Sequence, residues 1–103
     1  MQDLTHYMNG AHVAGTSGRF ADVFNPATGE VQARVPLANA AEMDQAVKFA
    51  AAAQPKWAAV NPQRRARVMM KFVELLHRDM DKLAEALSRE HGKTLPDAAG
   101  DVQ

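Results

Sequence analysis

There is no cysteine in the 103 residues, which excludes disulfides, thiolate zinc sites and a cysteine nucleophile within them. An excess of either charge is also missing, since 12 Lys plus Arg balance 12 Asp plus Glu. A neutral chain gives no electrostatic case for nucleic acid or an anionic membrane as partner. No apolar run approaches the roughly 18 residues of a membrane span. Met1 to Thr5 does not resemble the start of a signal peptide. The default expectation is a soluble, cytoplasmic protein. The length suits one small domain, and neither an internal repeat nor a low-complexity tract is present.

What is there is organised around one amphipathic stretch, Asn61 to His91. Its large apolar residues are Met69, Phe72, Val73, Leu76, Met80, Leu83 and Leu87. Such spacing keeps them on one side of a helix with about 3.6 residues per turn. The opposite side carries Arg67, Lys71, Glu74, Arg78, Lys82, Glu85 and Arg89. Glu74 with Arg78 and Glu85 with Arg89 have the favourable order for ion pairs four residues apart. Asn61 is the expected cap, Pro62 suits the first turn, and Gly92 is a left-handed stop. Asp79 and Asp81 are weak helix formers, so a local break can fall between His77 and Asp81. Ordering so long a stretch costs more backbone entropy than one apolar stripe offsets, so the helix needs an apolar partner.

The first third reads as strands and turns. His6-Tyr7-Met8 and Ala11 to Ala14 flank Asn9-Gly10, the dipeptide suited to a tight hairpin turn. Gly15 to Gly18 is a loop, and Arg19 to Phe24 alternates as an extended segment. Asn25 to Glu30 is dense in turn formers, and Val31 to Val35 alternates until Pro36 ends it. A small antiparallel ribbon is expected. Asn39 and Glu42 then have the form of a capping box, opening a helix from about Ala40 to Ala53. Pro55 should disturb that helix, with Trp57 packing in the connection. Leu95 to Gln103, with Pro96 in its first turn, opens a third helix. The fold class is α/β: short antiparallel strands over residues 1–37, then a helical region over 38–103. The first helix and the ribbon offer few large residues, so part of the long apolar stripe is expected to face something beyond this chain.

Candidate chemistry is thin. Gly92-Lys93-Thr94 mimics the end of a phosphate-binding loop, but Leu87 stands where that loop needs glycine and a helix precedes it. Gly15 and Gly18 lack the third glycine of a dinucleotide fingerprint, since position 21 is Ala21. His6, His12, His77 and His91 show no metal-ligand spacing. Ser17 and Ser88 have no His and Asp partners visible nearby, although such a triad need not be local. Arg64, Arg65 and Arg67, near a helix N-terminus, read as a solvated face or as bridges to acidic groups of another domain. Phe49 and Trp57 read as packing residues. The residues define no catalytic, cofactor-binding or metal site.

The order of hairpin, Asn25-Pro26-Ala27-Thr28-Gly29-Glu30-Val31, Val35-Pro36, helix, Trp57, Arg-rich helix and Glu90-His91-Gly92-Lys93-Thr94 resembles the N-terminal part of the aldehyde dehydrogenase superfamily. The likeness spans essentially the whole chain. Within that superfamily, Glu90 to Thr94 followed by Asp97-Ala98-Ala99-Gly100-Asp101-Val102 is similar to the CoA-acylating methylmalonate-semialdehyde dehydrogenases. The resemblance implies an incomplete N-terminal part of an NAD-binding domain, beside a catalytic domain and an oligomerisation ribbon. It implies oxidation of malonate or methylmalonate semialdehyde with NAD and CoA in a homo-oligomer, a homotetramer by the family pattern. A cysteine thiolate would attack the aldehyde, hydride would pass to NAD, and CoA would take the acyl group. None of the motifs for those steps lies here, so no catalytic or cofactor residue is carried onto this sequence. The family pattern continues past Val102 along a helix that helps bind the substrate carboxylate through an arginine.

The expectation is therefore an N-terminal fragment of such an enzyme, inactive by itself. Two alternatives stand beside it: an aldehyde dehydrogenase that hydrolyses its thioester with water, using NAD or NADP, and a non-catalytic helical docking module.

Overall fold

The structure, a computed structural model, describes residues 1–103. Two compact units divide the chain, one of Met1–Val23 with Val31–Ala59 and one of Phe24–Glu30 with Val60–Gln103.

The first unit holds the strands. β2 (His6–Met8) and β3 (Ala11–Val13) pair antiparallel, His6 opposite Val13 and Met8 opposite Ala11. Their turn has φ of 53° at Asn9 and 74° at Gly10, the positive pair that the Asn-Gly dipeptide predicts. β1 (Gln2–Asp3), β5 (Val31–Pro36) and β4 (Phe20–Phe24) form a separate sheet in the order β1-β5-β4. Leu37 N–H donates to the Arg19 carbonyl at one end and Asn25 N–H to the Glu30 carbonyl at the other, so β4 and β5 run antiparallel.

The expected ribbon is corrected in one respect: β1 pairs parallel to β5, Gln2 opposite Ala33 and Asp3 opposite Arg34. Two residues are too few to show an alternating pattern in sequence. Contacts made far along the chain fix the pairing instead. Leu4 N–H donates to the Arg34 carbonyl at 2.9 Å, and Arg34 Nε reaches Asp3 Oδ1 at 2.8 Å.

The capping box forms as expected. Glu42 N–H donates to Asn39 Oδ1 at 2.8 Å, and Asn39 N–H donates back to Glu42 Oε1 at 3.2 Å. The helix it opens, α1 (Ala40–Ala59), runs on through Pro55 rather than stopping near Ala53, and Trp57 lies in its last turns rather than in a connection. Proline fixes a φ that a helix accepts and removes one N–H. The alanines at Ala50 to Ala53 are the strongest helix formers, so the helix survives that loss.

In the second unit, α2 (Pro62–Arg78) starts where expected, with Asn61 Oδ1 accepting from Arg64 N–H at 2.9 Å. The long stretch is two helices, since Asp79, at φ −102° and ψ 17°, separates α2 from α3 (Met80–His91). Asp79 also takes Arg78, through two bonds of 3.1 and 2.7 Å. The expected Glu74–Arg78 pair is therefore not made, and Glu74 instead accepts from Lys71 at 3.2 Å. Glu85 and Arg89 do pair, at 3.1 Å. Gly92 ends α3 at φ 90°, and α4 (Leu95–Val102) follows with Thr94 as its cap.

Burial is slight. The buried apolar residues are Ala33, Pro36, Ala84 and Ala98, and no large side chain is fully buried. Along the amphipathic stripe, Leu76, Met80, Leu83 and Leu87 are half-buried. Met69, Phe72 and Val73 are 52%, 51% and 47% exposed, so the α2 half of the stripe faces outward.

Candidate functional site

The triplet Gly92-Lys93-Thr94 has a structural occupation at every residue. Gly92 sits in the left-handed region, where a side chain is strained, and a Cβ there would lie 2.9 Å from Pro26 Cγ. Lys93 Nζ is ion-paired with the Asp101 carboxylate, and its carbonyl accepts from Ser88 Oγ at 2.8 Å. Thr94 Oγ1 accepts from Asp97 N–H at 3.4 Å, capping α4. The triplet Gly92-Lys93-Thr94 is thus a helix stop, a cross-turn ion pair and a helix start, not a phosphate cradle.

Pro26 belongs to the turn that joins β4 to β5. Asn25 Oδ1 accepts from Ala27 N–H at 2.9 Å, and the Asn25 carbonyl accepts from Gly29 N–H at 2.7 Å. Thr28 Oγ1 accepts from Glu30 N–H at 3.3 Å, and Gly29 has φ 76°. Every polar residue of Asn25-Pro26-Ala27-Thr28-Gly29-Glu30 therefore has a part in one tight loop. The structure brings this loop against Gly92, so the two segments on which the resemblance rests meet in space.

A polar cluster built from several segments lies in the first unit. Glu42 Oε2 accepts from Thr16 N–H at 3.3 Å and lies 3.2 Å from His6 Nε2, while Asn39 Nδ2 donates to Thr16 Oγ1 at 3.2 Å. The Asn39 backbone N–H is the main cause holding the Glu42 carboxyl below its ordinary value, with Thr16 and His6 adding to it. The sequence showed the capping box but not Thr16 or His6, which come from other segments. Gly15 is pressed on Pro36, a Cβ there lying 2.9 Å from Pro36 Cβ, and no helix follows Gly18.

The other histidines and the serines are accounted for as well. His12 Nδ1 lies 3.0 Å from Thr5 Oγ1, and its ring meets Tyr7 edge-on at 5.2 Å. His77 and His91 fall in the exposed last turns of α2 and α3. No three His, Asp or Glu side chains converge as metal ligands. Ser17 Oγ donates to the Leu37 carbonyl and Ser88 Oγ to that of Lys93, so neither faces a base. Arg64, Arg65 and Arg67 enter no ion pair within the chain. Phe49 is half-buried and Trp57 is 43% exposed. An open groove of about 550 Å³ runs between α3 and α4, with Asp81 and Glu85 on its rim and Leu95, Pro96 and Ala99 along it. Nothing in these arrangements amounts to a nucleophile beside a base.

These motifs and this topology define a member of the aldehyde dehydrogenase family, whose sequence profile matches residues 12–103, and the chain belongs to that family. It is 45% identical over its whole length to a malonate-semialdehyde dehydrogenase of Pseudomonas aeruginosa, covering 20% of that protein. Among solved structures, one from Sinorhizobium meliloti, described as a methylmalonate-semialdehyde dehydrogenase complexed with NAD, is 64% identical over 98% of this chain and 21% of its own, with TM-score 0.95. The methylmalonate-semialdehyde dehydrogenase of Oceanimonas doudoroffii is 40% identical over 100% of this chain and 21% of its own, with TM-score 0.94. The fold is the N-terminal part of the aldehyde dehydrogenase fold, as the resemblance implied. The chain spans about one fifth of the length of the curated relatives it matches.

Proposed function

We propose that this chain is the N-terminal part of a malonate- or methylmalonate-semialdehyde dehydrogenase that uses NAD and delivers its acyl product to CoA. The observation that carries the reading is the 64% identity, over 98% of the chain, to the Sinorhizobium meliloti protein complexed with NAD. In this reading the chain supplies the opening strands and helices of the NAD-binding domain. Its partners are the remainder of the enzyme and further copies of it, in the cytoplasm.

The residues present do not fit a nicotinamide cofactor by themselves. The starts of α1, α2 and α4 each carry their own capping side chain, Asn39, Asn61 and Thr94, where a pyrophosphate would otherwise dock. No glycine-rich strand-to-helix turn is available. A thioester mechanism needs a cysteine, and these residues contain none. The chain is thus scaffold, and the 103 residues alone are expected to form no NADH.

The deciding experiment is NADH formation from malonate and methylmalonate semialdehydes by the protein as its source makes it, with and without CoA. CoA-dependent turnover giving an acyl-CoA is expected. Turnover giving the free acid without CoA would replace the acylating reading with a hydrolytic aldehyde dehydrogenase. No oxidation of any aldehyde would favour a docking module.

A further inference from the structure

We propose that His6 and Glu42 form an ion-pair latch that ties the β2–β3 hairpin to the N-terminus of α1. The proposal is independent of the enzymatic reading. His6 Nε2 is buried and has no hydrogen-bond partner, yet it lies 3.2 Å from Glu42 Oε2. The two side chains are only 18% and 11% exposed. A ring nitrogen facing a carboxylate oxygen at this distance is favourable when it presents its N–H, because two lone pairs there would repel. With the imidazole as cation the attraction is one of charge, and the shielding of both side chains strengthens it.

The surroundings leave His6 no other ion. Tyr7, Met8, Ala38, Met43 and Ala46 line the adjacent cleft with His6 and Glu42, and only these last two can bear opposite charges there. A Cβ on Gly15 would lie 3.3 Å from His6 Nε2, so the loop closes the ring in from another side. The Glu42 carboxylate meanwhile serves Asn39 and Thr16, so loss of His6 leaves the helix cap intact. The latch therefore governs the hairpin and not the helix.

The test is amide hydrogen exchange in the protein as its source makes it, for wild type, His6→Gln, Glu42→Gln and the double variant. His6→Gln should raise exchange over Tyr7 to Val13 by roughly two- to five-fold, the range open to a partly exposed ion pair. Exchange within α1 should not change. In the Glu42→Gln background, the same His6 substitution should have no further effect, since its partner's charge is gone. Equal increases in both backgrounds would overturn the latch, as would no increase in either. A rise spread over α1 as well would overturn it too, by showing general destabilisation.

Discussion

Pro26 fills the space that a side chain at Gly92 would need: a Cβ on residue 92 would lie 2.9 Å from Pro26 Cγ and 3.4 Å from Pro26 Cβ. A turn between two strands and the stop of a helix are thereby fitted to each other. Gly92 meets two demands at once, a left-handed φ of 90° and this close approach. Gly29 meets only the first, with φ 76° and open space around it.

The two glycines give a paired prediction. Gly29→Ala should cost about 1 kcal/mol of backbone strain. Gly92→Ala should cost about that plus a steric term, roughly 2–4 kcal/mol in all. Adding Pro26→Ala should recover part of the Gly92→Ala loss, because it removes the opposing ring. Urea unfolding of the three variants measures this, and equal losses for Gly29→Ala and Gly92→Ala would show that the Pro26 contact does not matter.

The outward α2 face leads to a second expectation. In the isolated chain, Met69→Ala and Phe72→Ala should change stability by no more than about 0.5 kcal/mol, as at most surface sites. In the protein as its source makes it, Phe72→Ala and Leu76→Ala should cost several kcal/mol, about 2–5 each if the face is covered. Denaturant midpoints for both forms decide it. A small effect of Leu76→Ala in the protein as its source makes it would mean that the buried face is misassigned.

Pro55 lies inside α1 and withholds one helical N–H. Pro55→Ala should therefore raise stability, by roughly 1–3 kcal/mol if the ring makes no compensating contact. A higher thermal midpoint would bear this out. A lower one would mean that the proline ring packs on something that the helix needs.

Acid should weaken the start of α1 and the Arg78–Asp79 pair at the junction of α2 and α3. Glu42 is held below its ordinary 4.5, chiefly by the Asn39 N–H, and Asp79 below its ordinary 3.8, chiefly by its hydrogen bond from Arg78. A carboxylate lowered on folding contributes stability that is fully present above its ordinary value and lost as pH falls through the folded value. Glu42→Ala and Asp79→Ala should thus cost most near neutral pH. Their deficit relative to wild type should shrink as pH drops below 4.5 and 3.8, respectively. Urea midpoints along an acid series test it, and a deficit constant with pH would show that these groups titrate normally.

The features that the sequence determined by itself are those made within a few residues of chain. Asn9-Gly10 imposes its turn through positive φ, and Asn39 with Glu42 closes its box across one helical turn. Asn61, Thr94 and Gly92 set helix ends by the same short reach. The turn and helix-stop motifs that point to the family are local for this reason, and so they were legible. Only the tertiary structure decided the parallel pairing of β1 with β5, the arrival of His6 and Thr16 at Glu42, and the seating of Pro26 on Gly92. It also decided the exposure of the α2 face, since periodicity says which residues share a side but not what covers them. Those relationships depend on segments far apart in sequence, and no local propensity encodes where distant segments come to rest.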